Sequence, residues 1–117
     1  MTTRVLFDAH LHLPLPMHII KQAQDCGIRR LSVCATNENW DDVLRLAAAH
    51  PGLVIPSIGI HPWWAAKVSE GWQDRLRAKL LLHPECELGE IGLDKLKAKR
   101  ADSEHHVRDC ITITLHA

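Results

Sequence analysis

An α/β fold with parallel strands is the class this sequence predicts, on three observations. Apolar runs of strand length alternate with segments of helical periodicity. The connections between them are short, and Gly or Pro punctuates most boundaries. The resulting order is β-α-β-α-β-α-β, which calls for parallel strands wrapped by helices.

The first strand is residues 4–9, a β-prone run that leads into Asp8, His10 and His12. Pro14 and Pro16 stiffen the turn into a helix over 17–26, where Ile19, Ile20, Ala23 and Cys26 share a face and Gly27 supplies the stop. Residues 31–35 form a second strand. Asn39 is expected to cap a helix through His50, with Val43, Leu44, Leu46 and Ala47 on one face and Pro51-Gly52 ending it. Residues 53–60 form a third strand, although Pro56 argues against a fully paired central position. Ser69 is expected to cap a helix reaching Leu82, with Leu76, Leu80 and Trp72 inward. Residues 86–91 give the fourth strand.

At 117 residues and 46% hydrophobic, the chain suits one domain with one core. Its zero formal net charge excludes a global pull on nucleic acid or membrane, but leaves a local basic patch from Lys95 to Arg100. No run is long and apolar enough to span a bilayer, and no signal peptide precedes the first strand, so no membrane partner is expected. Cys26, Cys34, Cys86 and Cys110 form no CxxC pair and suggest no disulfide framework. A soluble cytoplasmic protein is the expectation.

Chemistry-bearing residues gather at the carboxyl ends of three strands. His10 and His12 are spaced i, i+2, so in an extended chain both imidazoles face one point, a common start to a transition-metal site. The pair also suits two satisfied histidines in a strand-to-loop turn. The third strand runs into Gly59-Ile60-His61-Pro62-Trp63, and the fourth ends as Gly89-Glu90-Ile91-Gly92-Leu93-Asp94. In a parallel fold His10, His12, His61, Glu90 and Asp94 then share a face. Ordinary alternatives remain for each: a loop histidine at His61, a paired surface carboxylate at Glu90, a helix cap at Asp94. Gly89 and Gly92 read as residues for tight turns, and Trp63 and Trp64 as lining a cleft or covering the fold. His18, His50 and His83 read as structural. No GxGxxG or Walker sequence supports a nucleotide-cradling open sheet.

Three motifs in order, Phe7-Asp8-Ala9-His10-Leu11-His12, Gly59-Ile60-His61-Pro62-Trp63 and Gly89-Glu90-Ile91-Gly92-Leu93-Asp94, closely resemble the TatD family of metal-dependent hydrolases, a branch of the amidohydrolase-like TIM-barrel enzymes. The resemblance covers residues 4–94. It implies a partial (β/α) TIM barrel of four to five parallel strands with helices on one side, lacking the C-terminal half. It also implies a deoxyribonuclease that cleaves phosphodiester bonds with divalent ions, magnesium or manganese first and zinc second. By the same resemblance His10 and His12 ligate one metal, Glu90 ligates or bridges metals and takes part in catalysis, and His61 lies at the substrate phosphate with a catalytic role. Asp94 belongs to the signature and falls on the substrate-binding side, behind the ligands.

Such a barrel takes about 250 residues and eight strands. The expected division is therefore a half-barrel over 1–94 and a divergent polar tail over 95–117. In that tail residues 110–115 alternate as one more strand, and His116 is a fourth candidate ligand. A truncated form with weak or absent independent activity is the expectation. Alternatives are a related amidohydrolase acting on amides or lactones, and a non-enzymatic half-barrel that binds metal or a partner chain. Exposed half-barrel edges are expected to favour self-association.

Overall fold

The computed structural model describes residues 4–91. Within them four parallel strands, β1 (Leu6–His12), β2 (Ile28–Cys34), β3 (Val54–Ile58) and β4 (Glu87–Leu88), pair in the order β1-β2-β3-β4. Three α-helices cross between them: α1 (Met17–Asp25), α2 (Trp40–Ala49) and α3 (Trp72–Leu82). A doubly wound sheet reverses its strand order at a switch point. This sheet does not, and right-handed crossovers then set every helix on the same side. The arrangement is a stretch of barrel wall, as expected.

The core lies between the sheet and its helices. Ile20, Leu31, Val33, Trp40, Val43, Val54, Ile58, Ile60, Trp72 and Leu76 are buried there together. Trp40, unassigned by periodicity, is a principal anchor: its indole fills the core, and Nε1–H donates to the Gly59 carbonyl at 2.7 Å. That bond ties the start of α2 to the end of β3.

Pro56 sits in β3 with strands on both sides, opposite Val33. Leu53 and Ser57 carbonyls accept from β2, whereas the Ile58 carbonyl accepts from Gly89. Even-numbered positions of β3 therefore face β4, which pairs only from Ser57 onward. The missing N–H of Pro56 falls where no ladder bond is due, so the strand is central and tolerates proline.

Both expected side-chain caps are displaced. Asn39 precedes α2, but its side chain makes no cap bond and instead accepts from the Thr36 and Asn37 amides at 3.1 and 3.3 Å. Gly71, at φ 75°, precedes α3. Ser69 is drawn away to Glu38, donating Oγ–H and N–H to that carboxylate. Arg75 closes the same cluster on Glu38, and Lys79 pairs with Asp41, so two ion pairs strap α3 to the segment entering α2. Burial pushes the Glu38 carboxyl up, but the bonds from Ser69 and Arg75 outweigh it and hold the group below its ordinary value. The fourth strand is shorter than expected, pairing only at Glu87–Leu88. The Lys95–Arg100 patch, Asp94, the strand expected at 110–115 and His116 lie outside the described residues.

Candidate metal centre

The carboxyl ends of the strands bring four of the five candidate residues together. β1 is longer than expected and contains both histidines, with an irregular register between Asp8 and Leu11. His10 Nε2 lies 3.6 Å from Glu90 Oε1, and His12 Nε2 lies 3.4 Å from Glu90 Oε2. His61, just beyond β3, brings its Nε2 within 3.4 Å of the same Oε2. The His10 and His12 rings stand edge to face, 4.6 Å apart. Asp94 is not among the described residues.

Two glycines make this convergence sterically feasible, for a reason other than tight turning. A Cβ on Gly59 would come within 2.6 Å of the Glu90 carbonyl oxygen. A Cβ on Gly89 would come equally close to Ser57 Oγ. Neither glycine is among those with positive φ. Bare backbone at both positions lets the end of β4 press against the end of β3 and delivers Glu90 to the histidines.

No sequence motif signals the β2 contribution, because Cys34 stands there only as a cysteine without a CxxC partner. It ends its strand level with His12, its partner in the ladder. The Cys34 carbonyl lies 2.8 Å from His12 Nδ1. A carbonyl only accepts, so Nδ1 carries a proton, and a ring with that one proton presents the Nε2 lone pair toward Glu90. Cys34 Sγ also lies 3.5 Å from His10 Nδ1, so one residue steadies both histidines. Burial pushes its thiol pKa up. Its position at a strand's carboxyl end was the available signal.

His61 has the opposite polarity. Its Nδ1 accepts from the Trp63 backbone N–H at 3.1 Å, closing the 3₁₀ turn Pro62–Lys67. The proton of the neutral ring therefore sits on Nε2. His12 offers a lone pair to the centre while His61 offers an N–H, which suits a ligand and a hydrogen-bond donor respectively.

The donor set fits a divalent cation. Glu90 Oε2 is buried and makes no hydrogen bond of good geometry, although His61 Nε2 lies 3.4 Å away, a poorly satisfied and therefore costly state for a carboxylate oxygen. It faces the His12 lone pair, so two acceptors oppose each other at 3.4 Å. An ion about 2.1 Å from each of two adjacent ligands holds those ligands roughly 3.0–3.4 Å apart. The potential ligand atoms of His10, His12 and Glu90 all lie within 4.8 Å of one another. The carbonyl behind His12 is the kind of support that metal-bound histidines generally have.

A family model described as TatD related DNase matches residues 7–114. The chain belongs to the TatD-related DNase family. The match extends through the segment read above as a polar tail. Among curated relatives, the Cut9-interacting protein scn1 of Schizosaccharomyces pombe is 33% identical over 63 residues, a match taking in 51% of this chain and 18% of that protein. This chain therefore aligns with less than a fifth of the relative's length. The four parallel strands among its described residues are consistent with part of the barrel of the TatD-related family.

Proposed function

We propose that this TatD-related chain serves metal-dependent hydrolysis of phosphodiester bonds in DNA, in a cytoplasmic setting, with the ion held by His10, His12 and Glu90. The observation that carries the reading is the buried Glu90 Oε2, which faces two imidazoles without making a hydrogen bond. Manganese or magnesium suits the carboxylate, and the two imidazoles also admit zinc. When bound, the ion would supply Lewis acidity toward a phosphoryl oxygen and a more acidic water.

The chain's own residues supply placement. Cys34 holds the His12 ring so that Nε2 faces inward. Glu90 brings negative charge to the imidazoles, and the His61 Nε2–H that borders Glu90 would serve as a donor to a non-bridging phosphate oxygen once Glu90 turns to the ion. The isolated 117-residue polypeptide is expected to be a weak catalyst. Among the described residues, two of the three ligand candidates stand on a largely exposed strand with one neighbour in the sheet.

The exposure of Val5 just before β1 and of Leu6 and Phe7 at its start favours a second reading, a metal- or partner-binding half-barrel without catalysis. Incubating the purified chain with an oligodeoxynucleotide and Mn²⁺ separates the two. Slow cleavage abolished by EDTA and by Glu90→Gln supports hydrolysis. Mn²⁺ binding with no cleavage at any enzyme concentration supports the second reading.

A further inference from the structure

Strand β1 leaves one row of main-chain groups open along its outer edge. Leu6 donates its N–H to the Gly27 carbonyl at 3.4 Å, where the chain enters β2. Main-chain groups alternate in direction along an extended chain, so Val5, just before β1, and Phe7 turn theirs away from β2. No described strand meets them there. The side chains of Val5, Leu6 and Phe7 are exposed as well. An open apolar edge of this kind is a template for another strand.

Which strand fits follows from the edge itself, because Arg4-Val5-Leu6-Phe7-Asp8 complements its own reverse. A second copy running antiparallel and centred on Leu6 sets Leu6 opposite the partner's Leu6. It also sets Val5 opposite the partner's Phe7 and Arg4 opposite the partner's Asp8, each twice by two-fold symmetry. The outward-facing Val5 and Phe7 then make the hydrogen-bonded pairs. Leu6 and both charge pairs fall at the intervening positions, where opposed side chains approach most closely. Both charges are available: Asp8 accepts from the His10 amide at 3.2 Å, and neither Asp8 nor Arg4 has an ion pair among the described residues. With Leu15, Ile19 and Ala23, Asp8 also lines a cavity of about 230 Å³ between β1 and α1. The methylene stem of the partner's Arg4 therefore has apolar surface to cover.

We propose that the chain forms a weak, reversible two-fold dimer by antiparallel pairing of residues 4–8 with the same residues of a second copy, centred on Leu6. The contact is short, and buries less than the roughly 1,200–2,000 Å² of stable complexes, so the association is transient. Because the paired strands run in opposite directions, their carboxyl ends lie at opposite ends of the joined sheet. Each pair of histidines therefore stays with the Glu90 of its own chain. The dimer goes beyond the hydrolase reading and does not rest on it.

The test is sedimentation velocity of the full chain in EDTA and reductant, over micromolar to millimolar concentrations. A sedimentation coefficient that rises with concentration toward a dimer limit is expected. Arg4→Glu and Asp8→Arg each set like charges opposite one another at both symmetry-related positions, and each should weaken association about tenfold. Mixing the two variants in equal amounts should restore it, because the mixed dimer regains two opposite-charge pairs. A folding defect could not be repaired in that way. A second measurement fixes the register. Opposed residues at the Leu6 position have Cα atoms about 4.5 Å apart, within the range a disulfide spans. Under mild oxidation Leu6→Cys should yield a dimer joined at residue 6, mapped by mass spectrometry, and Asp8→Cys should not be joined to itself. A monomer at every concentration, no rescue on mixing, equal joining by Asp8→Cys, or a bond from position 6 to Cys110 of the same chain overturns the proposal.

Discussion

Strands β2 and β3 bury nearly every residue of their later halves, whereas β1 leaves Phe7 51% exposed and buries none of its other positions fully. The contrast matters because β1 carries two of the three candidate ligands. β2 and β3 have helices packed on them and strands on both sides. β1 has β2 alone. The histidines of β1 are therefore oriented less by packing than by two contacts from the end of β2, both made by Cys34. In this chain the well-packed centre of the sheet positions the loosely packed edge.

The largest expected effect attacks the centre. Trp40→Ala removes a buried indole and its bond to the Gly59 carbonyl, and should cost about 3–5 kcal/mol in urea denaturation. A cost below about 1 kcal/mol would mean that β2 and β3 do not form the stable part. Gly59→Ala comes next, because its Cβ meets the Glu90 carbonyl. Destabilisation of about 1–3 kcal/mol is expected, together with weaker Mn²⁺ binding as Glu90 is pushed back. Loss of stability with metal affinity unchanged would uncouple the β3–β4 contact from the centre.

How much of this was readable beforehand follows the same division. The alternation of elements and the convergence of His10, His12, His61 and Glu90 were legible, because hydrophobic period and strand polarity are local properties of the chain. The roles of Gly59 and Gly89 were not, since both depend on how closely two strands distant in sequence approach. Cys34 is hard to foresee because its shorter contact, to His12, is made through a backbone carbonyl, which no residue type advertises. Ser69 and Asn39 look like caps, and only the third dimension reveals that Glu38 and the Thr36–Asn37 amides claim them first.

The strap of α3 onto the α2 entry gives a smaller, pH-dependent effect. The Glu38 carboxyl titrates lower in the folded chain than its ordinary value. Its contribution is therefore present above the unfolded pKa of about 4.3 and is lost as pH falls through the depressed folded value. Glu38→Gln should cost about 1 kcal/mol near neutrality, and less in acid, by denaturation at both pH values. An equal cost at both would remove the ion pair with Arg75 from the account.

The smallest effect belongs to the edge. Phe7→Thr should change stability by no more than about 0.5 kcal/mol, while lowering any concentration-dependent association seen by sedimentation. A large loss of stability would show that β1 is packed more tightly than its exposure indicates.

The most direct test of the central claim, that β2 and β3 hold the edge histidines and Glu90 around one divalent ion, is a calorimetric titration of the full chain with Mn²⁺. One saturable site is predicted, weakened at least about tenfold by Glu90→Gln and by His12→Ala, since even a supporting contact at a metal site is typically worth that much. Absence of Mn²⁺ binding, or binding that both substitutions leave unchanged, would contradict it.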